Sequence, residues 1–462
     1  MSTTKELELI HGRDDVIIHG STWAAIWHMS WPLVLNMATI SVAYFADTWV
    51  AGQLGSDVQA AIGMGGQIWF FMIILVIALS AGTTALVSRF WGARDLEATI
   101  EAARQSLAFG FFFGLATAAL GLICAPSLLK ILGASARVQA LGWDYLKLDL
   151  LSQFPYTLLW ISNSIFRAKG NARVPMVIMA LITFLVIVLD LVLCLGPPHL
   201  GISGIGLSWL IAGTIGVILS LSILRGSEIG SCLDIKLLLS RGLSGQWFVR
   251  LMKIGIPACV SDLSWVGGNF VFLLIFAHTQ DPTSCQASWA IGLRCEEMIA
   301  AMPIYALSMA VAAIVGQNLG ARQPQRAELA GWQVGGIGAA LNTVAGLVMV
   351  LCAAPIAGLM SSDPQVIRYT VQFLQVVGLC EPFVAIWLIL FGAMQGAGYT
   401  RWPMWATVAC LAGFRIPIAW YLTITLGMGP VGAWLSLAIC SVAIGLLAIW
   451  RFRTGVWKLH KV

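Results

Sequence analysis

Long apolar segments separated by short polar ones recur along the whole of this 462-residue chain. Residues 68–79, 107–125 and 176–195 are examples, and together they contain a single charged side chain. A helix needs about 20 mostly apolar residues to cross the hydrocarbon core of a bilayer. The pattern therefore predicts twelve membrane-spanning helices. The predicted spans are 23–53, 57–88, 100–126, 138–166, 174–196, 203–224, 251–279, 285–317, 327–355, 365–395, 403–427 and 430–450.

The chain also repeats itself at a fixed distance. VSRFWGAR at 87–94 returns as VGQNLGAR at 315–322, and GNARVPM at 170–176 returns as GYTRWPM at 398–404, so both pairs are 228 residues apart. Such a repeat sets the architecture. Six spans per copy is an even number, so both copies enter the membrane in the same direction. We expect two six-helix lobes related by a pseudo-two-fold axis along the membrane normal, with a transporter's binding site between them.

Composition agrees with this reading and excludes others. Hydrophobic residues make up 59% of the chain and charged residues 10%, and the mean hydropathy is +0.87. Soluble domains carry about 25% charged residues, and a membrane barrel would show short alternating segments instead. The fold class predicted is an all-α membrane protein.

Lysine and arginine predict its orientation. With the N-terminus inside, 20 of the 26 basic side chains fall on the cytoplasmic side, as the positive-inside rule requires. We expect a multi-pass protein of the bacterial plasma (inner) membrane with both termini cytoplasmic. The polar residues 1–22 lack a signal-peptide core. The predicted division is a cytoplasmic tail 1–22, an N-lobe 23–224, a cytoplasmic linker 225–250, a C-lobe 251–450 and a basic tail 451–462.

The motifs of several other functions are missing. The chain has no phosphate-binding loop ending in Gly-Lys-Ser/Thr, no GxSxG and no paired histidines. Its ten scattered cysteines form no CxxC pair, and we interpret them as small buried hydrophobic residues. We expect no enzyme activity, no cofactor, no firm metal site and no nucleic-acid partner. The expected partners are small amphipathic or cationic substrates and the lipid bilayer, and the expected state is a monomer.

Acidic side chains within the spans are the main candidates for function, because burying a charge in a membrane is costly. Asp47 and Asp190 lie in spans one and five, and at the 228-residue offset their counterparts are Ile275 and Ile418. Two carboxylates facing each other in a medium of low dielectric constant must hold a proton or a sodium ion. We therefore predict a cation-coupling site in the first lobe, with Ser208 as an added hydroxyl ligand.

The second half carries further charged candidates. Glu296 follows Arg294 in span eight, where a local ion pair is as good an explanation as substrate contact. Glu381 in span ten could line a cavity or only pack, and Asp262 in span seven could be a second-lobe acid. Arg415 in span eleven is interpreted as ordering its helix by pairing with a carboxylate. Asp262, Glu296, Glu381 and Arg294 are thus the candidate substrate or second-lobe contacts.

Several segments, taken together and in order, resemble the MATE (multidrug and toxic compound extrusion) family of bacterial type. They are ADTWVAGQLG at 46–55, FRAKGNARVP at 166–175, VLD at 188–190, Pro303 with VGQNLGA at 315–321, and RIP at 415–417. The resemblance runs from about residue 23 to 450. It implies an outward-facing V of two lobes that exports drugs in exchange for Na⁺ or H⁺. It also implies that Asp47 and Asp190 are the coupling acids, Ser208 a ligand, and Pro32 the proline that bends the first helix.

Two departures from the family pattern bear on the coupling ion. The family often has Asn four residues before the acid of the fifth helix, and this chain has Val186. A missing amide ligand weakens a sodium site and favours a proton. Asp262 in span seven replaces a Glu that some members carry further along, which argues against that branch's second-lobe cation site.

The sequence therefore supports a cation-coupled multidrug exporter that works by rocker-switch alternating access. A flippase or exporter of lipid-linked or other amphipathic metabolites on the same fold is the alternative. Such a cavity would need several cationic side chains for phosphate, and only Arg294 and Arg415 lie within spans.

Overall fold

The computed structural model describes residues 16–131, 136–234 and 242–460. Within these ranges the chain forms helices, with short turns between them, and no strand. Most of the predicted N-terminal tail, part of the predicted linker and the last two residues of the basic tail lie outside the described residues.

The first half contains six long helices, which correspond one to one with the predicted spans one to six. They are α1 (Thr22–Leu54), α2 (Ser56–Gly92), α3 (Leu96–Ile131), α4 (Ala136–Ala168), α5 (Arg173–Asp190) and α6 (Ile202–Arg225). A π-helical turn, Leu191–Leu195, continues α5 directly after Asp190. A 3₁₀ turn, Gly230–Leu233, follows α6.

The second half contains six spans with more breaks. They are α7 (Gly245–Phe276), α8 (Pro282–Glu296 and Met302–Gly320), α9 (Pro324–Leu351, followed by Ala353–Met360), α10 (Pro364–Gly378 and Glu381–Gly396), α11 (Arg401–Val408 and Ile416–Trp420) and α12 (Pro430–Arg453). The π-helical turn Glu297–Ala301 joins the two parts of α8. The π-helical turns Ala409–Arg415 and Tyr421–Thr425 lie within α11.

Length and hydropathy qualify most of these helices as membrane spans. In the described residues, ten pass on their own, and the two parts of α10, which meet at a bend of 55°, make an eleventh. α4 does not qualify because it carries the charged residues Asp144, Lys147 and Asp149 and, beyond them, polar residues such as Gln153 and Asn163. Together with α4 these make twelve spans, so the prediction of an all-α membrane protein with twelve spans is confirmed.

The chain packs as two compact units. One comprises Met1–His19, in its described part, and Trp27–Gly255, and the other comprises Gly20–Ile26 and Ile256–Val462. The first turns of α1 therefore belong to the second unit, and the first turns of α7 belong to the first unit. The functional lobe boundaries given by the sequence stay a prediction.

The repeat seen in the sequence is preserved in the backbone. Arg94 and Arg322, 228 positions apart, have φ angles of 58° and 59°. Each follows a long helix and donates its N–H to a carbonyl three residues back, Trp91 O at 3.0 Å and Leu319 O at 3.2 Å. A left-handed residue that turns the chain out of a helix is a common C-terminal cap. The GAR motif is thus a helix stop used twice.

The segment after α6 is held against the first unit by polar contacts. The Gly242 carbonyl accepts hydrogen bonds from Arg104 Nη1 at 3.0 Å and from Gln105 Nε2 at 3.2 Å. Both of those side chains are buried. Glu101 Oε1, 2.6 Å from Arg104 Nη2, balances the charge. Because each partner is satisfied, a buried arginine can anchor this chain segment at low cost.

A second contact group surrounds the 3₁₀ turn. Lys169 forms an ion pair with Glu228, and its Nζ lies 4.6 Å from the centre of the Trp91 ring. The Cys232 side chain is buried beside this pair, and burial raises the pKa of its thiol to about 12, although the positive charge of Lys169 acts in the opposite direction.

We expect Cys232 to react slowly with N-ethylmaleimide, because only the thiolate attacks. Against an ordinary thiol pKa of about 8.5, a value of about 12 lowers the thiolate fraction at pH 7 on the order of 1000-fold. Labelling of single-cysteine variants followed by mass spectrometry measures this. The variant retaining only exposed Cys352 is the control. The labelling rate at Cys232 should rise about tenfold per pH unit between pH 7 and 10, and equal rates at the two positions would contradict the burial.

Candidate functional site

The two acids predicted for the first lobe come together in the first unit. Asp47 of α1 and Asp190 at the end of α5 are both buried, with 5% and 0% of their surface exposed. Their carboxyl groups interact directly with each other. A hydrogen bond between two carboxyl groups requires a proton on one of them. The pair can therefore hold one proton, or its two negative charges can share a cation.

The backbone around Asp190 departs from regular α-helix. The π-helical turn Leu191–Leu195 begins at the next residue, and such turns often occur at functional sites. α5 is held against α1 by a hydrogen bond from Thr183 Oγ1 to the Thr39 carbonyl, 3.1 Å long. Two helices thus fix the distance between the acids.

Ser208 and its helix complete this side of the site. Close approach of α6 to α4 requires Gly206, since a Cβ there would lie 2.7 Å from the Tyr145 carbonyl oxygen. The Ser208 hydroxyl donates to the Gly204 carbonyl at 2.9 Å and also lies next to the Asp190 carboxyl. Its lone pairs therefore stay available as a ligand, in the place that the sequence assigned to it.

An indole group binds Asp47. Trp209 Nε1 donates a hydrogen bond of 2.8 Å to Asp47 Oδ2. The Trp209 ring lies between two tyrosines, with centroid distances of 5.6 Å to Tyr44 and 5.7 Å to Tyr156. The sequence analysis does not predict this contact. Nothing in the sequence marked Trp209 except its position directly after Ser208.

A third acid, Asp149, was also missed. It lies on α4, 4% exposed, where it interacts with the hydroxyl of Tyr145 and acts electrostatically on Asp47. The signal was present, because an acid within a predicted span is a functional candidate. The neighbouring Asp144 and Lys147 make this part of α4 resemble the polar end of a span, so Asp149 was not singled out.

Several oxygens in this group lack a donor. Asp47 Oδ1, both oxygens of Asp190 and Asp149 Oδ2 are buried and accept no hydrogen bond from any residue that the structure describes. Unpaired buried carboxylate oxygens are costly. A proton or a small cation would relieve that cost, and each would use oxygens of this kind. We refer to Asp47, Asp149, Asp190, Ser208 and Trp209 as the acid site.

Pro32 lies inside α1, as the sequence predicts. A proline there removes one backbone hydrogen bond and weakens the helix locally. Its role in bending α1 stays a prediction.

The second unit has its own buried charges, which we call the Arg415 group. Glu296, Glu381 and Arg415 are 7%, 0% and 0% exposed. Asn342 Nδ2 donates to Glu381 Oε2 at 2.7 Å, and Arg415 Nη2 donates to Asn269 Oδ1 at 2.9 Å. Glu296 acts electrostatically on both of the other charged residues.

Arg415 does not form the ion pair expected for it. Among the described residues its hydrogen-bond partner is the amide of Asn269, and its guanidinium carbon lies 4.3 Å from the ring centre of Phe272 and 5.0 Å from that of Trp265. Aromatic faces stabilise the guanidinium here through their quadrupoles. The expectation of a carboxylate partner failed because sequence order does not show which rings surround a side chain.

The remaining two candidates are exposed side chains. Arg294 is exposed and pairs with Glu297 at 3.1 Å, so the local ion pair is the alternative that holds. Asp262 is exposed on α7. Neither residue contributes a hydrogen bond to Glu296, Glu381 or Arg415 in the described structure.

The corresponding part of the second repeat is aromatic instead of acidic. Tyr145 and Asp149 correspond at the 228-residue offset to Phe373 and Val377, both 0% exposed. The cluster there stacks Trp289 on Trp434, with ring centroids 5.6 Å apart and planes at 6°, and Phe373 meets Trp434 edge-on at 5.0 Å. The acid site therefore occurs in one repeat only.

Comparison with known proteins gives consistent results. The family model named MatE matches residues 32–192 and 257–421. The chain is 23% identical to a probable multidrug resistance protein NorM of Thermotoga maritima, over 90% of this chain and 89% of that protein. It is 28% identical to a FAD transporter of Shewanella oneidensis, over 91% and 92% of the two chains.

A solved structure shows the same fold. The bent form of the Vibrio cholerae MATE transporter VcmN superposes with a TM-score of 0.83 at 22% identity, covering 93% of this chain and 96% of that one.

We expect Trp209→Phe to destabilise the protein more than Trp434→Phe does. Both substitutions remove the same atoms from a buried indole. Trp209 Nε1 bonds to Asp47, whereas Trp434 Nε1 has no hydrogen-bond partner in the part of the chain that the structure describes. A hydrogen bond to a charged group contributes about 1.5–3 kcal/mol, so the free energy of unfolding should differ by about that amount. Denaturation of the two purified variants measures it, and an equal loss would show that the Trp209 bond contributes nothing.

Proposed function

The chain belongs to the MatE family, and from this premise we propose that it exports amphipathic, often cationic compounds in exchange for H⁺ or Na⁺. Export would proceed by alternating access of the rocker-switch kind, in the plasma membrane of a bacterium, with both termini cytoplasmic. The observation that carries the proposal is the close approach of two buried carboxyl groups, Asp47 and Asp190, three of whose four oxygens accept no hydrogen bond from a described residue.

The acid site supports cation coupling by its chemistry. A single proton, or one small cation, changes the charge of the pair from −2 to −1. Because the pair joins α1 to α5, that change alters the electrostatic attraction between two helices. A ligand shifts a conformational equilibrium only by its differential affinity for the two states. The shared cation would bind in the state in which α1 and α5 hold the two acids together, and it would be released in the state in which these helices separate.

Two features favour a proton over sodium. Val186, in the place where the family often has Asn, is buried and offers no ligand. Asp47 Oδ2 is already engaged by the Trp209 indole. Hard cations take several oxygen ligands, and a proton needs one.

A second candidate function is export of an anionic amphipathic metabolite. One relative carries the name FAD transporter, and Arg415 provides a buried cation in the second unit. The flippase alternative has less support. Of the two arginines predicted within spans, Arg294 is neutralised by Glu297, so only Arg415 is left to bind a phosphate.

We expect Asp47→Asn and Asp190→Asn to abolish export, because an amide cannot gain or lose a proton. Uptake of ethidium into inside-out vesicles measures this. Asp144→Asn is the matched control, since Asp144 forms an exposed pair with Lys147 at 2.6 Å on α4, and it should transport normally. All three variants should elute as monodisperse protein. Normal ethidium transport by Asp47→Asn would contradict the proposal.

The coupling ion is tested by imposing a pH gradient and a sodium gradient separately on the same vesicles. We expect the pH gradient alone to drive ethidium uptake, for the two reasons given above. Uptake that requires sodium would assign the acid site to Na⁺. Uptake under neither gradient would favour the anionic-metabolite function.

A further inference from the structure

A small cavity lies inside the second unit, beside Arg415. It measures about 10 Å³, which is room for about one water-sized atom. Its walls combine aromatic rings, hydroxyl groups and one charge. The lining includes Trp265, Trp387, Thr407, Arg415 and Ser441. No other buried cation of the described second unit has this combination of aromatic and hydroxyl neighbours.

Arg415 reaches this cavity with unused donors. Its side chain is fully buried, and Nη2 bonds to Asn269. Nε and Nη1 have no acceptor among the residues that the structure describes. A buried N–H of a charged group without an acceptor is costly. An oxygen atom placed in the cavity would satisfy one of the donors that the protein leaves open.

The backbone keeps Arg415 in this place. It ends the π-helical turn Ala409–Arg415, and Pro417 follows two residues later. Gly268 lies beside the guanidinium, and a Cβ there would be at ordinary contact distance from Nη1, 3.6 Å. In the first repeat the residue at the corresponding position is Ile187, so the cation is a feature of the second unit alone.

Trp265 and Trp387 give the site its preference for flat ligands. Their rings meet at a centroid distance of 6.0 Å, and both are half-buried while Arg415 is fully buried. Their accessible faces offer stacking area next to the guanidinium. Glu296 is the acid that acts on Arg415 electrostatically, but it forms no ion pair with it in the described structure.

We propose that Arg415, Trp265 and Trp387 form a recognition site for planar aromatic compounds that carry an anionic oxygen. The oxygen occupies the cavity and accepts from Nε or from Nη1, while the ring stacks on the tryptophans. This inference rests on the proposed transport function for its biological meaning. It deepens the second candidate function by naming planar aromatic anions as the ligand class and by giving them a site in the second unit. Binding itself needs neither a gradient nor the acid site.

The test is equilibrium dialysis of the purified full-length protein with radiolabelled 2-naphthoate, and with 2-naphthamide as the uncharged match. Charge-assisted hydrogen bonds are the strong ones, so the wild type should bind naphthoate at least about 10-fold more tightly. Arg415→Met should remove that preference, and Arg415→Lys, which keeps the charge without the planar fork, should restore part of it. Arg294→Met removes a cation from the exposed pair with Glu297 and should leave the preference intact.

A substitution at another residue tests the same site by strengthening naphthoate binding instead of weakening it. Glu296→Gln removes the charge that offsets the guanidinium, so naphthoate should bind more tightly while naphthamide does not change. Trp265→Leu should weaken both ligands equally, because both stack. If Arg415→Met does not fold, these two variants still decide the matter.

Three outcomes would overturn the proposal. They are equal affinity for naphthoate and naphthamide, no effect of Glu296→Gln, and full competition by inorganic phosphate, which would indicate a simple anion site. Ethidium uptake by the same variants separates this inference from the proposed function. If the wild type takes up no ethidium but still binds naphthoate, the proposed export function is refuted and this inference stands.

Discussion

Burying a carboxylate away from water without a positive partner is the constraint on which this structure depends. Asp47 and Asp190 meet inside the first unit, and no described lysine or arginine pairs with either. Two ionised carboxylates at this distance raise each other's energy, so the fully charged pair is unfavourable unless a proton or a cation is bound. Binding or release of a proton or a small cation would therefore change the electrostatic energy between α1 and α5.

Much of the fold and part of the site could be predicted from the sequence, for reasons that particular residues make clear. The spans follow from hydropathy, and the repeat follows from GAR at 92–94 and 320–322, which is a helix stop in both copies. Asp47 and Asp190 were found because isolated acids in apolar runs are conspicuous. Asp149, Trp209 and the surroundings of Arg415 were not found, because their roles depend on which face of a helix meets which neighbour. Periodicity within one span does not determine that choice.

The π-helical turns are the other feature that hydropathy could not show. Asp190 and Glu296 each directly precede such a turn, and Arg415 ends one. A π turn inserts an extra residue and rotates all that follows by about one position around the helix. Three of the buried charged groups thus lie where the ordinary phase of the helix is interrupted. Counting 3.6 residues per turn across a π turn would therefore assign the residues beyond it to the wrong face of the helix.

The aromatic cluster of the second unit has a consequence for how such a protein changes over generations. Phe373, the counterpart of Tyr145, packs edge-on against Trp434, whose counterpart in the first repeat is Gly206. An acid introduced at Val377, which is buried in that apolar cluster, would place a charge against packed carbon. A first step toward a second acid site would therefore cost stability in a closely packed core.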